Sequence, residues 1–160
     1  MATKSAAKRR SACPVSVSLD LLGDRWSLLV VRDMMVRGYR TFREFQQAGE
    51  GIATNILSDR LHKLAAAGIL IGEPAEEDLR STHYRLTSKG IALAPVLLDL
   101  LIWAARHEDT GASGSFIAHL EHDRKAILAE AYRRWERRDR TPLIPPFTSP
   151  VKSLKGRTRR

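Results

Sequence analysis

The sequence predicts a mainly α fold with a small β-ribbon, a winged helix-turn-helix with an additional C-terminal helix. Three observations carry this. Thr41-Phe42-Arg43-Glu44 has the pattern of a capping box, in which a hydroxyl and a carboxylate each satisfy an orphan backbone N–H at a helix start. Gly49-Glu50-Gly51 then turns the chain into an amphipathic segment, and two short helices across such a turn are the helix-turn-helix signature. Two short strand-like runs follow before the chain returns to helix, and they supply a wing.

Val15 to Leu22 reads as a short helix interrupted by Gly23-Asp24. Asp24 is placed to cap the next helix, Trp26 to Val36, which Gly38 ends. The capped helix runs from Thr41 to about Ala48, with Phe42 and Phe45 turned inward. From about Thr54 to Ala67, Leu57, Leu61 and Leu64 recur at i, i+4 and i+7 and define a buried stripe. Ala53 offers this helix no capping side chain, and Gly68 ends it. Ile69-Leu70-Ile71 and Thr82 to Leu86 read as paired strands; the polar Pro74–Ser81 link is too long for a tight hairpin. Thr87 caps a single helix from Ser88 to about His107, with Leu93, Leu97, Leu100, Leu101 and Ala104 inward. Trp26 and Trp103 are expected inside the helical layer. After Gly111–Gly114, a last helix from about Ser115 to Arg138 carries Phe116, Leu120, Ile127, Leu128, Ala131 and Trp135.

The domain expectation is therefore a body at 13–110, a C-terminal helix at 115–139 serving dimerisation, and disordered basic tails at 1–12 and 140–160. Of the net charge of +9, the first tail holds +4, the second +6 and everything between them −1. Basic tails favour a polyanion without choosing one, so specific recognition must come from the neutral body. The apolar run Val96–Ala105 is too short to span a bilayer and contains Asp99, and no signal-peptide pattern follows the basic N-terminus. The expectation is a cytoplasmic protein with no membrane partner. One cysteine excludes an intramolecular disulfide framework.

A helix fits the DNA major groove, and side chains near its N-terminus can read base edges. Thr54, Asn55, Ser58, Asp59 and His62 occupy those positions and are the candidate base contacts to double-stranded DNA. Asn bonds adenine bidentately, Ser and Thr serve several bases, and Asp accepts from cytosine N4. The plainer reading is a solvated face with Asp59 and Lys63 as an i, i+4 pair. Arg40, Thr41, Arg43, Arg60 and Lys63 flank the surface and suit phosphate contact, which sets register without reading sequence. Arg60 also lies close to the buried stripe, where it can pair with an acid inside the domain. In the wing, Arg80, Ser81 and Thr82 are placed for the backbone or minor groove, and Arg80 suits a narrow minor groove best. Glu76, Glu77 and Asp78 would repel phosphate.

Taken together, several motifs resemble the HxlR-type winged helix-turn-helix regulators. They are Cys13-Pro14; Leu22-Gly23-Asp24-Arg25-Trp26; Tyr39 to Phe45; Gly51-Ile52 with Leu57 to Leu61 and Leu64; Gly68-Ile69; and Tyr84 to Gly90. Each is weak alone; their order and spacing over about residues 13–107 are specific. The resemblance implies a homodimeric bacterial transcription factor on a palindromic promoter site. It also implies dimerisation through the N-terminal helix and the long helix after the wing. Repression is the expected sign, because bound protein blocks polymerase. Two-fold symmetry would set the recognition helices about 34 Å apart. The segment beyond Thr110 is longer than the minimal family pattern.

Cys13 matches the cysteine near the family's N-terminus, which some members use to sense oxidants or electrophiles. A reactive thiol needs a depressed pKa and access, and Lys8, Arg9 and Arg10 lie close in sequence. The alternative is an inert thiol at the dimer contact. His119 and His122, beside Glu121 and Asp123, have metal-compatible spacing, but exposed histidines on a charged helix are commoner, so no metal is assigned. No phosphate loop or activated nucleophile is recognisable, so neither enzymatic activity nor a cofactor is expected. Three readings compete with the regulator reading or refine it. A tail-driven nonspecific nucleic-acid binder would lose binding on removal of 1–12 and 140–160. A protein-interaction module would be indifferent to Asn55→Ala and Arg80→Ala. A sensor variant would respond to an oxidant or small-molecule effector.

Overall fold

The computed structural model describes residues 11–75 and 81–143. Its elements run α1 (Pro14–Leu22), α2 (Ser27–Val36), α3 (Phe42–Gln46), α4 (Thr54–Ala66), β1 (Leu70–Pro74), β2 (Thr82–Leu86), α5 (Ser88–Ile91), α6 (Ala94–His107), α7 (Gly114–His122) and α8 (Arg124–Glu136). The predicted fold class, mainly helical with a two-stranded antiparallel ribbon, is what the chain forms.

The core gathers where the helix-turn-helix meets the ribbon. Val30, Val31 and Met34 of α2, Phe45 of α3 and the Leu57, Leu61, Leu64 stripe of α4 close on Ile69, Leu70 and Leu86. Each leucine taken fully from water contributes roughly 1.5–3 kcal/mol. The capping box forms as its spacing implies: Thr41 Oγ1 accepts from the Glu44 N–H at 3.2 Å, and Glu44 Oε2 accepts from the Thr41 N–H at 2.8 Å. Asp24 Oδ1 accepts from the N–H groups of Trp26 (2.8 Å) and Ser27 (3.0 Å), the orphan donors that open α2.

The ribbon pairs Leu70 with Leu86, Gly72 with Tyr84 and Pro74 with Thr82. A third edge joins it: Thr41 bridges His83, and the Tyr84 N–H donates to the Arg40 carbonyl at 2.7 Å. The chain entering α3 is thus bonded to the wing. Gly90 permits α5 to cross the ribbon base, since a Cβ there would lie 2.1 Å from the Ile69 carbonyl oxygen.

Four expectations need correction. The helix from Ser88 is two helices, parted at Ala92-Leu93, because Pro95 has no N–H to continue the ladder and sits in the first turn of α6. The restart moves the inward face onto Ala94 and Leu98, leaving Leu100 at 45% and Trp103 at 57% exposure. The last predicted helix is also two, parted at Asp123 (φ −98°, ψ 17°), with no glycine or proline to signal the break. Residues 140–143, expected to belong to the C-terminal tail, pack on the body instead. Arg140 donates to the Gly38 carbonyl and pairs with Glu44, and the Leu143 N–H donates to the Val36 carbonyl at 2.7 Å. Gly38, at φ +73°, leaves room for that approach.

The segment expected to serve dimerisation packs on its own chain: α8 lies against α2, α5 and α6, and Trp135 Nε1 donates to the Leu86 carbonyl at 2.8 Å. By length and composition Ser88–His107 also qualifies as a membrane-crossing helix, with mean hydropathy 1.6. In the fold it is broken at Leu93, and α6 packs against α2, α7 and α8.

Candidate nucleic-acid interface

The first turn of α4 follows the Gly49-Glu50-Gly51 turn and leaves Thr54 and Asn55 exposed. Ala53 at its N-cap makes no side-chain bond, so the start is tied by another route: Gln46 Nε2 of α3 donates to Thr54 Oγ1 at 2.9 Å. Asn55 is exposed and its side chain has no partner among the described residues. Ser58 is half-buried, and its carbonyl lies 2.9 Å from His62 Nδ1. Thr54, Asn55, Ser58 and His62 therefore share the outward face of α4, with Asn55 the least committed.

Asp59 and the cations beside it form a closed circuit. Asp59 Oδ2 lies 3.0 Å from Lys63 Nζ and 2.7 Å from Arg60. The Lys63 hydrogen bond leads in holding the Asp59 carboxyl below its usual range. Arg60, 20% exposed, also reaches Asp24 at 3.1 Å. Both of its neighbours are acids, so Arg60 takes the intradomain role that its place beside the stripe left open.

Of the other flanking residues, Arg43 is exposed and without a partner among the described residues. Arg40 is half-buried; burial first, then the charges of Arg140 and Arg85, push its pKa down. The Thr41 hydroxyl is occupied in the capping box. Ser81 is half-buried, and its carbonyl accepts from the Ala75 N–H at 2.9 Å, while Thr82 is exposed. Arg80, with Glu76, Glu77 and Asp78, lies outside the described residues. Sequence reasoning overlooked Gln46 and Gln47. Both are exposed beside the α4 start, and neither carries a pattern that marks it in the sequence.

An ionic cluster centred on the buried Asp33 positions this surface. Asp33, 3% exposed, binds Arg32 at 2.8 Å and Arg37 at 3.2 Å. Arg32 continues to Glu50 at 2.9 Å and Arg37 to the Ala48 carbonyl at 2.9 Å. These bonds fix the turn that delivers α4. Burial outweighs the two arginines and pushes the Asp33 carboxyl up.

Cys13 is exposed at the N-cap of α1, where the N–H groups of Ser16 and Val15 push its thiol pKa down. The expected basic neighbours Lys8, Arg9 and Arg10 lie outside the described residues. No group of three metal-capable side chains gathers among the described residues, and His119 is paired with Asp123 at 2.8 Å.

Residues 21–111 match the family model of the HxlR-like helix-turn-helix. The chain belongs to the HxlR-like helix-turn-helix family. It is therefore a transcriptional regulator of this DNA-binding type and not an enzyme. The HTH-type transcriptional regulator YvaP of Bacillus subtilis is 33% identical over 98 residues, 61% of this chain and 90% of its own. Among solved structures, PA1607 is 39% identical over 66% of this chain and 72% of that one, with TM-score 0.60. The redox regulator HypR in its oxidized form is 28% identical over 61% of this chain and 100% of that one, with TM-score 0.54. The HxlR-like match ends at residue 111, so α7 and α8 lie beyond it.

Proposed function

We propose that this HxlR-like regulator is a homodimeric repressor that occupies a palindromic promoter site in the cytoplasm. The observation that carries the reading is the outward polar face of α4. Asn55 stands there with its amide oxygen and nitrogen both without a partner among the described residues, on a helix start fixed by Gln46 and by the Arg32–Glu50 pair. Asn55, Thr54, Ser58 and His62 read base edges; Asp59, held by Lys63 and Arg60, has the weakest claim. Arg43 contacts phosphate, with Lys63 and the Thr82 edge of the wing beside it. Arg40, Thr41 and Ser81 support the surface from behind, and Arg60 holds α4 to the body.

Dimerisation uses the apolar surface left on α1 and α6. Val15 and Leu19 form one stripe, and Val96, Leu100 and Trp103 the other, at i, i+4 and i+7. Contiguous exposed apolar surface of this kind marks an interaction site. The test is selection of bound fragments from the host's genomic DNA by the full chain, followed by footprinting. A recovered inverted repeat protected by two copies supports the proposal; fragments with no common sequence oppose it.

One observation favours a sensor refinement. Cys13 is exposed, its thiolate is favoured by the α1 N-terminus, and HypR is a redox regulator by name. Two Cys13 thiols from two copies would give two protons and two electrons to an oxidant and form one intersubunit disulfide. A thiol pKa at or above about 8.5 argues for an inert cysteine.

A further inference from the structure

A groove of about 420 Å³ opens between α2, α6 and α8, within the size range of small-molecule sites. Leu28 and Met35 of α2, Leu97 and Leu101 of α6, and Leu128 and Ala131 of α8 form its walls. Arg32 and Arg37 stand at its rim, but their guanidinium groups are engaged by Asp33, Glu50 and the Ala48 carbonyl. The site thus offers apolar walls and no unpaired charge. We propose that this groove binds an uncharged, apolar small molecule, aromatic or branched aliphatic.

Two features favour such an occupant over a second copy of the chain. The walls are concave and come from α2, α6, α8 and Leu143 of one chain, so an occupant must enter them. The exposed Val96 and Trp103 lie round α6 from Leu97 and Leu101, and neither lines the groove. Leu100 borders both surfaces.

The groove shares a wall with the DNA-reading apparatus. The opposite face of α2 sends Val30, Val31 and Met34 into the core against α4, and Arg32 and Arg37 tie α2 to the turn before α4. An occupant that shifts α2 therefore shifts α4. Binding stands without the repressor reading; only its effect on DNA rests on it.

The test uses the full chain and the uncharged dye Nile red. Saturable binding of one dye per chain is expected. Ala104→Phe and Ala131→Phe, which fill the groove from two helices, should each weaken it by roughly tenfold or more while keeping the helical circular dichroism. Trp103→Ser on the outer face should leave it unchanged. An uncharged aromatic diazirine gives a readout that needs no variant: labelled peptides should come from α2, α6 and α8. No saturable binding by the folded chain, loss in Trp103→Ser alone, or labelling confined to α1 and the outer face of α6 would overturn the proposal.

Discussion

Arg60 leaves α4 to meet Asp24 at 3.1 Å, and the same carboxylate caps the first turn of α2. One acid thus starts one helix and anchors another. Asp24→Ala should remove a cap worth about 1 kcal/mol and leave the mostly buried Arg60 guanidinium, whose Nε has no partner among the described residues, with Asp59 alone. The expected loss is about 1–2 kcal/mol in urea denaturation. A loss below about 0.5 kcal/mol would show that the pair is not structural.

Asn55→Ala should behave oppositely. The side chain is exposed and unpartnered, so stability should stay within about 0.5 kcal/mol of wild type. Affinity for the selected operator should fall by about 1–3 kcal/mol, with little change on unrelated DNA. Arg43→Ala should weaken both and lower the salt slope by about one. Anisotropy titrations at several salt concentrations separate the two patterns.

Acid should loosen the joint between α3, the wing and the C-terminal segment. Burial pushes the Glu44 carboxyl up, but the N–H groups of Arg40 and Thr41, the Thr41 hydroxyl and the Arg140 charge together bring it below its usual range. A depressed acid contributes stability above its unfolded pKa, near 4.3, and loses it as the pH falls through the lower folded value. Glu44→Gln should therefore be less stable at pH 7 and show a shallower decline below about pH 4.3. Equal acid slopes in thermal melts would count against this role.

The apolar stripe predicts the oligomeric state. Trp103→Lys places a charge on the exposed face of α6, where a partner would desolvate it, and should yield monomers in sedimentation velocity with the fold intact. A dimer that persists would direct attention to α1 or to α7.

The sequence was most legible where a short-range pattern has a single physical solution. The Thr41–Glu44 box, the Leu57–Leu61–Leu64 stripe and the Gly38 and Gly68 stops are decided within one or two helical turns. Pro95 carries its own signal, since a residue without an N–H ends the hydrogen-bond ladder behind it. The break at Asp123 had no such signal. Long-range partners were the least legible: nothing near Arg140 marks Glu44 as its partner, nor Trp135 the Leu86 carbonyl. At the candidate site, helical phase placed Asn55 outward. It could not decide between phosphate and Asp24 for Arg60, because that depends on a residue from another helix.

The central claim is that the body of the chain, rather than its basic ends, selects a DNA sequence. The most direct measurement is fluorescence anisotropy of the full chain, wild type and Asn55→Ala, on the selected operator and a shuffled control. Excess competitor DNA and about 0.15 M salt suppress nonspecific association. A preference of about a thousandfold or more for the operator, reduced in the variant, is expected. Equal affinity for both sequences, untouched by the substitution, would contradict it.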